Sequence, residues 1–231
     1  MRAPAPFPMN STHWRGAITA LMLGVVAAIY IGKLPPAIPA LRAEFGLSFS
    51  QSGWLVSAFN TLGMLASIFM GLIAARAGSW RLCMTGLAFL VCGGTLGAFA
   101  GHSAGLLASR LLEGVGFLSI VVAAPGLIML STAVADRRRV FSFWGGYMPT
   151  GTALGMVLAP VLIAEFGWRG LWLATVACAA LAMLLLTAFR GDYVTPAGSA
   201  SASMPRDTAG PLKAPGPWWI ALAFGCYAFN Y

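Results

Sequence analysis

The sequence predicts an all-α integral membrane protein, a six-helix bundle followed by the start of a seventh helix. Three observations predict it. Hydrophobic residues make up 59% of the 231-residue chain and charged residues only 9%, whereas a soluble domain carries about 45–50% apolar and about 25% charged residues. The mean hydropathy is +0.82, more apolar surface than so few charges could cover in water. The apolar residues also fall into long runs joined by short, polar, basic segments.

Crossing about 30 Å of hydrocarbon takes roughly 20 apolar residues. Six runs reach that length, near 17–38, 53–75, 82–100, 104–133, 141–163 and 170–189. Residues 1–16, with Pro4, Pro6 and Pro8 ahead of polar residues, are expected to form a non-helical tail. A cleaved signal peptide fits this start poorly, because no small-x-small site closes the first run and its apolar character continues to Leu41. Residues 190–217 are rich in Ala, Ser, Gly and Pro and read as a flexible linker. Residues 218–231 are apolar but span only about 21 Å as helix, and are expected to be the start of a truncated seventh span.

The net charge of +8 comes from 14 Lys+Arg against 6 Asp+Glu. The basic residues are scattered between the runs and form no single face, so they read as topology signals and nucleic acid is not an expected partner. Ten of them fall on alternate joints, including Arg15, Arg76, Arg81, the Arg137-Arg138-Arg139 run and Arg190. The opposite joints carry only Arg42 and Arg169. The imbalance places the N-terminus and the 190–217 segment in the cytoplasm of a multi-pass inner-membrane protein. Contact with anionic lipid headgroups is the alternative role for the arginine run.

Cys83, Cys92, Cys178 and Cys226 sit inside apolar runs without CxxC spacing, and His13 and His102 lie outside the runs. No HExxH, Cys/His cluster, P-loop or GxSxG occurs. No metal, cofactor or enzymatic chemistry is therefore expected. Helices in lipid pack through small residues four apart. Gly63, Ser67 and Gly71 give the second run such a face, and Gly151, Gly155 and Ala159, followed by Pro160, give the fifth one. Equivalent faces in runs two and five fit two three-helix repeats related by an in-plane pseudo-two-fold axis. Pro125 and Pro160 read as kinks, either hinges or static curvature. Trp54, Trp80, Trp144, Trp168 and Trp172 read as headgroup-level anchors.

Several short patterns fall in a set order and spacing, each on a definite side of the membrane. The joint after the second run carries Gly71, Arg76, Gly78 and Arg81, with Ala75 where an acidic residue would complete the motif. The fourth run carries Arg110, Gly114 and Gly116, the fifth carries Gly155-Met-Val-Leu-Ala159-Pro160, and Gly167-Trp168-Arg169 precedes the sixth. Together they resemble the major facilitator superfamily over essentially the whole chain, matching the first six of its twelve helices and the start of the seventh. The run Leu34-Pro35-Pro36-Ala37-Ile38-Pro39 is similar to that of small-anion permeases of the cyanate-permease-like group. The resemblance implies secondary active transport by alternating access, driven by protons, with helices one and four facing the path. Membrane lipid, protons, a small solute and a C-terminal six-helix half are the implied partners, the joint motif is the implied gating loop, and no cofactor is implied. A six-helix half-transporter, or a non-transporting membrane subunit acting as it stands, is the alternative.

Three ionisable residues lie at membrane depth: Lys33 in run one, and Arg110 and Glu113 in run four. Such a group costs at least about 2.5–3.5 kcal/mol there, so it lines a cavity or finds a partner. Arg110 and Glu113 are three apart and close enough to pair, which would leave Lys33 as uncompensated positive charge. The expectation is that Lys33 and Arg110 contact the negative group of a small anionic substrate, while Glu113 biases the arginine or takes part in proton coupling. Two alternatives stand beside it. Prolines 35 and 36 end the helix and the Lys33 ammonium snorkels to the interface, or Arg110 and Glu113 form a purely structural pair.

Overall fold

The computed structural model describes residues 11–59 and 77–193, and every regular element among them is helical. In chain order these are α1 (Trp14–Gly32), α2 (Leu34–Phe45), α3 (residues 49–59), α4 (Ser79–Ala98), α5 (Ser103–Ser131), α6 (Val134–Trp144) and α7 (Tyr147–Ala188), closed by a 3₁₀ turn at Arg190–Tyr193. Four helical stretches among the described residues are long and apolar enough to cross a membrane: Trp14–Phe45, Ser79–Ala98, Ser103–Ser131 and Val134–Ala188. The division into six runs is therefore met only in part. Most of run two lies in residues 60–76, outside the described residues, and runs five and six fall within one helical stretch.

The first helical stretch begins at Trp14, three residues before the expected start of the first run at 17, because the His13 amide donates to the Ser131 carbonyl at 2.8 Å and anchors the start. It also continues past the expected end near residue 38. Pro35 and Pro36 fall in the first turn of α2, where backbone N–H groups have no helical acceptor, so the missing donors cost nothing and the prolines do not stop the chain. Gly46 stops it, at φ 63. The next helix starts on a reciprocal cap: the Ser48 amide donates to Gln51 Oε1 at 2.9 Å and the Gln51 amide to Ser48 Oγ at 3.1 Å.

Helix α7 is 42 residues long, about 63 Å and twice the hydrocarbon thickness. Gly167 divides it, at φ 67 and ψ 174, a backbone conformation that costs glycine little. The partners on the first stretch show that the chain reverses there. A Cβ at Gly155 would lie 2.8 Å from the Ile29 carbonyl. Further on, the Trp168 indole donates to Glu44 at 2.6 Å. Then the partners retreat: Tyr30 donates to the Thr175 carbonyl at 3.0 Å, and Tyr193 to the Gly16 carbonyl at 2.7 Å. The two limbs of α7 thus run in opposite directions along the same first stretch.

Residues 190–193, expected to open the flexible linker, are instead packed. Tyr193 is buried, and the Arg190 guanidinium stands 4.6 Å over the Trp80 ring, whose indole donates to the Leu186 carbonyl at 3.3 Å. The rest of the linker and the 218–231 segment lie outside the described residues.

Two hydrophobic clusters fill the bundle. One gathers Leu23, Tyr30, Leu87, Leu90, Ile120 and Leu127. The other gathers Leu34, Leu41, Leu106, Leu171 and Trp172. Large apolar side chains also cover the outside, Val157 and Leu184 among them, as a surface facing lipid requires.

Candidate functional site

The ionisable residues meet where the two hydrophobic clusters join. Tyr30 and Lys33 lie one turn apart on the first stretch, and their helix is drawn close to the first limb of α7 by small residues. A Cβ at Gly32 would collide with the Thr152 carbonyl, and one at Gly151 with the Val25 carbonyl. Helix α5 presents Arg110 and Glu113, and is held to α4 by Ser109 Oγ donating to the Gly93 carbonyl at 2.7 Å. One turn on, Gly114 lets α3 approach: a Cβ there would lie 2.6 Å from the Phe59 carbonyl. The returning limb of α7 supplies Trp172 and Thr175.

Lys33 Nζ donates to Glu113 Oε1 at 2.8 Å and to Thr175 Oγ1 at 3.1 Å. It stands 4.1 Å from the Tyr30 ring centre and 4.4 Å from that of Trp172. Arg110 donates through one terminal nitrogen to Glu113 Oε2 and to the Tyr30 carbonyl, the latter at 3.1 Å. Its guanidinium lies 4.5 Å over the Phe59 ring. Lys33 and Glu113 are fully buried and Arg110 is 2% exposed. One carboxylate therefore serves two cations, and the cluster carries a net charge of +1 with both cations protonated.

This geometry corrects several expectations. Lys33 is not uncompensated, because Glu113 turns one oxygen to each cation and pairs with both. Lys33 does not snorkel either, since the helical stretch carries on through the prolines as α2 and the ammonium stays buried. Trp172 is fully buried against Lys33, and Trp168 is buried among Phe45, Trp172 and Glu44, so neither is a headgroup anchor. Trp54 stays exposed. Arg110 Nε and Trp172 Nε1 are buried without an acceptor among the described residues. Hydrogen-bonding capacity is thus left over beside the cluster.

Of the joint motif, Gly78 caps α4 at φ 82 and Arg81 is exposed in its first turn. Gly71 and Arg76, with Gly63 and Ser67 of the second run, lie outside the described residues. Gly151, Gly155 and Ala159 are buried against the first stretch, while Pro160 sits inside the first limb of α7 on its exposed side. Sequence reasoning missed Tyr30, Thr175 and Phe59. Only Tyr30 left a signal, its position three residues before Lys33 on one helical face. No group of three His, Cys, Asp or Glu among the described residues is placed to hold a metal ion.

A second ion pair lies at the far end of the same stretch. Arg169 reaches Glu44 at 2.7 Å, stacks over Trp168 at 4.4 Å, and donates to the Ala100 carbonyl at 3.4 Å.

Comparison with known proteins places this architecture. The family model described as "Major Facilitator Superfamily" matches residues 17–231. Curated relatives include the riboflavin transporter RibZ of Clostridioides difficile, 22% identical over 71% of this chain and 36% of that protein. The methylenomycin A resistance protein of Bacillus subtilis is 27% identical over 75% of this chain and 37% of that protein. The multidrug resistance protein MdtL of Escherichia coli is 28% identical over 74% of this chain and 44% of that protein. Among solved structures, the crystal structure of a peptide transporter POT in complex with sulfate superposes with a TM-score of 0.70 at 17% identity, covering 99% of this chain and 47% of that one. The chain spans less than half the length of each of these proteins.

Proposed function

The chain belongs to the Major Facilitator Superfamily, and from that premise we propose that it is the N-terminal half of a secondary transporter moving a small anionic solute by alternating access, driven by protons. It is a multi-pass integral protein of the bacterial inner membrane. The family is one of transporters, and no chemical step is assigned to the chain. The two opposed limbs of α7, together with the second run near 53–75 expected from the sequence, complete the six-helix bundle of this reading, built from two three-helix repeats. The lysine and arginine imbalance supports a cytoplasmic N-terminus. A C-terminal six-helix half is the proposed partner, consistent with the length of the relatives.

One observation carries the choice of an anion: a buried cluster with two cations and one carboxylate, joining α5 to the first stretch and to the returning limb of α7. A fixed charge inside the bundle is costly unless it is compensated. A solute bringing one negative charge neutralises the excess. The donors at Arg110 Nε and Trp172 Nε1 are available to it without breaking an existing bond. In this reading Lys33 and Arg110 contact the solute, Glu113 holds both cations in its absence, and the resemblance of the Leu34–Pro39 run to that of small-anion permeases supports the same choice. The solutes named for the relatives differ from one another and do not fix this one.

Uptake tests the proposal. With the chain reconstituted in liposomes together with a C-terminal six-helix half and an inward proton gradient imposed, accumulation of at least one of cyanate, nitrate or acetate above that in protein-free liposomes is expected, falling at least about tenfold in Lys33→Ala. Equal uptake by the variant removes the binding role of Lys33, and no uptake above the protein-free level by the unaltered two-half protein removes the transport reading. Orientation is tested by labelling single cysteines placed at Phe45, His102 and Phe166, which should react only from outside.

A further inference from the structure

Building on the reading of this cluster as the place where proton and solute meet, we infer that its exchangeable proton sits on Lys33 Nζ and not on Glu113, which stays a carboxylate throughout.

Donors and acceptors support this first. A lysine ammonium has three N–H donors. Two of them have oxygen acceptors, Glu113 Oε1 at 2.8 Å and Thr175 Oγ1 at 3.1 Å. Thr175 spends its own hydroxyl proton on the Trp172 carbonyl at 2.8 Å, so towards Lys33 it can only accept. The third N–H faces the Tyr30 and Trp172 rings. A neutral amine keeps both oxygen bonds and gives up only that contact with the aromatic faces. Glu113 is the reverse case. Each of its oxygens already receives an N–H, one from Lys33 and one from Arg110, so a proton placed there would meet a group whose described hydrogen bonds are all accepted ones.

Charge counting gives the same answer. Arginine keeps its proton in proteins. Removing the Lys33 proton takes the cluster from +1 to 0 and leaves a closed Arg110–Glu113 pair. Protonating Glu113 takes it from +1 to +2 and strands two buried cations, the costlier state in a medium of low dielectric. No other described acid is near enough to intervene. Glu44 is paired with Arg169, Asp136 accepts from Thr12, Asp192 faces His13, and Glu165 is exposed. The groups facing Lys33 are Tyr30 from its own stretch, Arg110 and Glu113 from α5, and Trp172 and Thr175 from α7. The step is a simple dissociation, Lys33–NH₃⁺ to Lys33–NH₂ with the proton passing to water. Because an anion favours the +1 state, proton and anion promote each other's binding by equal factors.

The chain has two lysines, Lys33 and Lys213, and three glutamates, Glu44, Glu113 and Glu165. Each can therefore be followed as its own signal by NMR of the full chain in nanodiscs, labelled with ¹⁵N at lysine Nζ and ¹³C at glutamate Cδ. Lys213→Arg, Glu44→Gln and Glu165→Gln assign the signals. The sweep runs between about pH 5 and pH 9, where an ordinary glutamate and an ordinary lysine both keep their neutral-pH states. The expected result is a one-proton change from ammonium to amine at Lys33, with Glu113 remaining a carboxylate. A protonated carboxyl at Glu113, or an ammonium at Lys33 across the whole range, overturns the inference. Because the sweep uses no solute, it can fail while uptake succeeds, and succeed while uptake fails.

Discussion

Two carboxylates in this molecule each hold a cation at nearly the same distance, Glu113 with Lys33 at 2.8 Å and Glu44 with Arg169 at 2.7 Å. The first pair is sealed, with both side chains at 0% exposure. The second is open, with its side chains at 45% and 39%. Water screens the outer pair, so it contributes about 0–1 kcal/mol, as exposed pairs do. Nothing screens the inner pair. Its worth is set by what happens when a partner is removed and the other charge is left in hydrocarbon-like surroundings. Pairing of a carboxylate with a cation thus serves as a surface tie at one level of the bundle and as a fixed commitment at another.

The sharpest way to break the comparison is to remove each carboxylate in turn. Glu113→Gln should cost about 3–5 kcal/mol, because it leaves Lys33 and Arg110 together and uncompensated. Glu44→Gln should cost no more than about 1 kcal/mol. Chemical unfolding of the two variants in matched nanodiscs measures the gap. Equal losses would mean that the inner cluster is hydrated and that burial does not set its energetics.

Close packing is what keeps the inner cluster dry, and it can be attacked directly. Gly32→Val places a Cβ against the Thr152 carbonyl on the first limb of α7. Overpacking of this kind costs about 1–3 kcal/mol, and the same unfolding measurement reads it. Gly53, on α3, has open space where its Cβ would be, so Gly53→Ala should leave the unfolding midpoint nearly unchanged. A similar loss at both positions would show that helix propensity, not backbone approach, is being measured.

How much of this was legible in the sequence follows from the kind of information each feature needs. The helical character and the apolar spans follow from composition and run length, and the pairing of Arg110 with Glu113 follows from their spacing on one helix. The second partner of Glu113 does not, because Lys33 lies 80 positions away and only the packing of α5 against the first stretch sets that distance. Trp172 was misplaced for a related reason. A tryptophan near a span end is usually an interfacial anchor, and its burial here depends on the reversal at Gly167, which turns the second limb of α7 back over Lys33. The alternative in which the prolines after Lys33 end the helix stayed open in the sequence, because their place in the first turn of α2 shows only once that helix is seen.

At the end of the bundle that holds the arginine run, the contrast between sealed and open reappears in one residue. Tyr193 is buried and donates to the Gly16 carbonyl, and burial, with Asp192 nearby, raises its phenol above the usual value. The unfolded chain therefore ionises this tyrosine first, near pH 10. Above that pH the folded state binds more protons than the unfolded one, and stability falls as pH rises. Tyr193→Phe should cost about 0.5–1.5 kcal/mol at neutral pH through the lost hydrogen bond, and should flatten the alkaline decline. A variant that loses stability but keeps the full alkaline slope would assign that slope to other groups.

The smallest effect belongs to Arg169→Gln, and its value lies in separating charge from geometry at the open pair. Glu44 keeps its bond from the Trp168 indole at 2.6 Å when the arginine is gone, so what is removed is a screened attraction and the stacking of the guanidinium over the indole. The loss should be at most about 1 kcal/mol in low salt. Raising the ionic strength to about 1 M, where the screening length is about 3 Å, should shrink the difference from the unaltered chain. Glu113→Gln should keep its full cost under the same salt, because ions do not reach the buried cluster. A salt-sensitive Glu113 variant beside a salt-insensitive Arg169 variant would reverse the assignment of sealed and open.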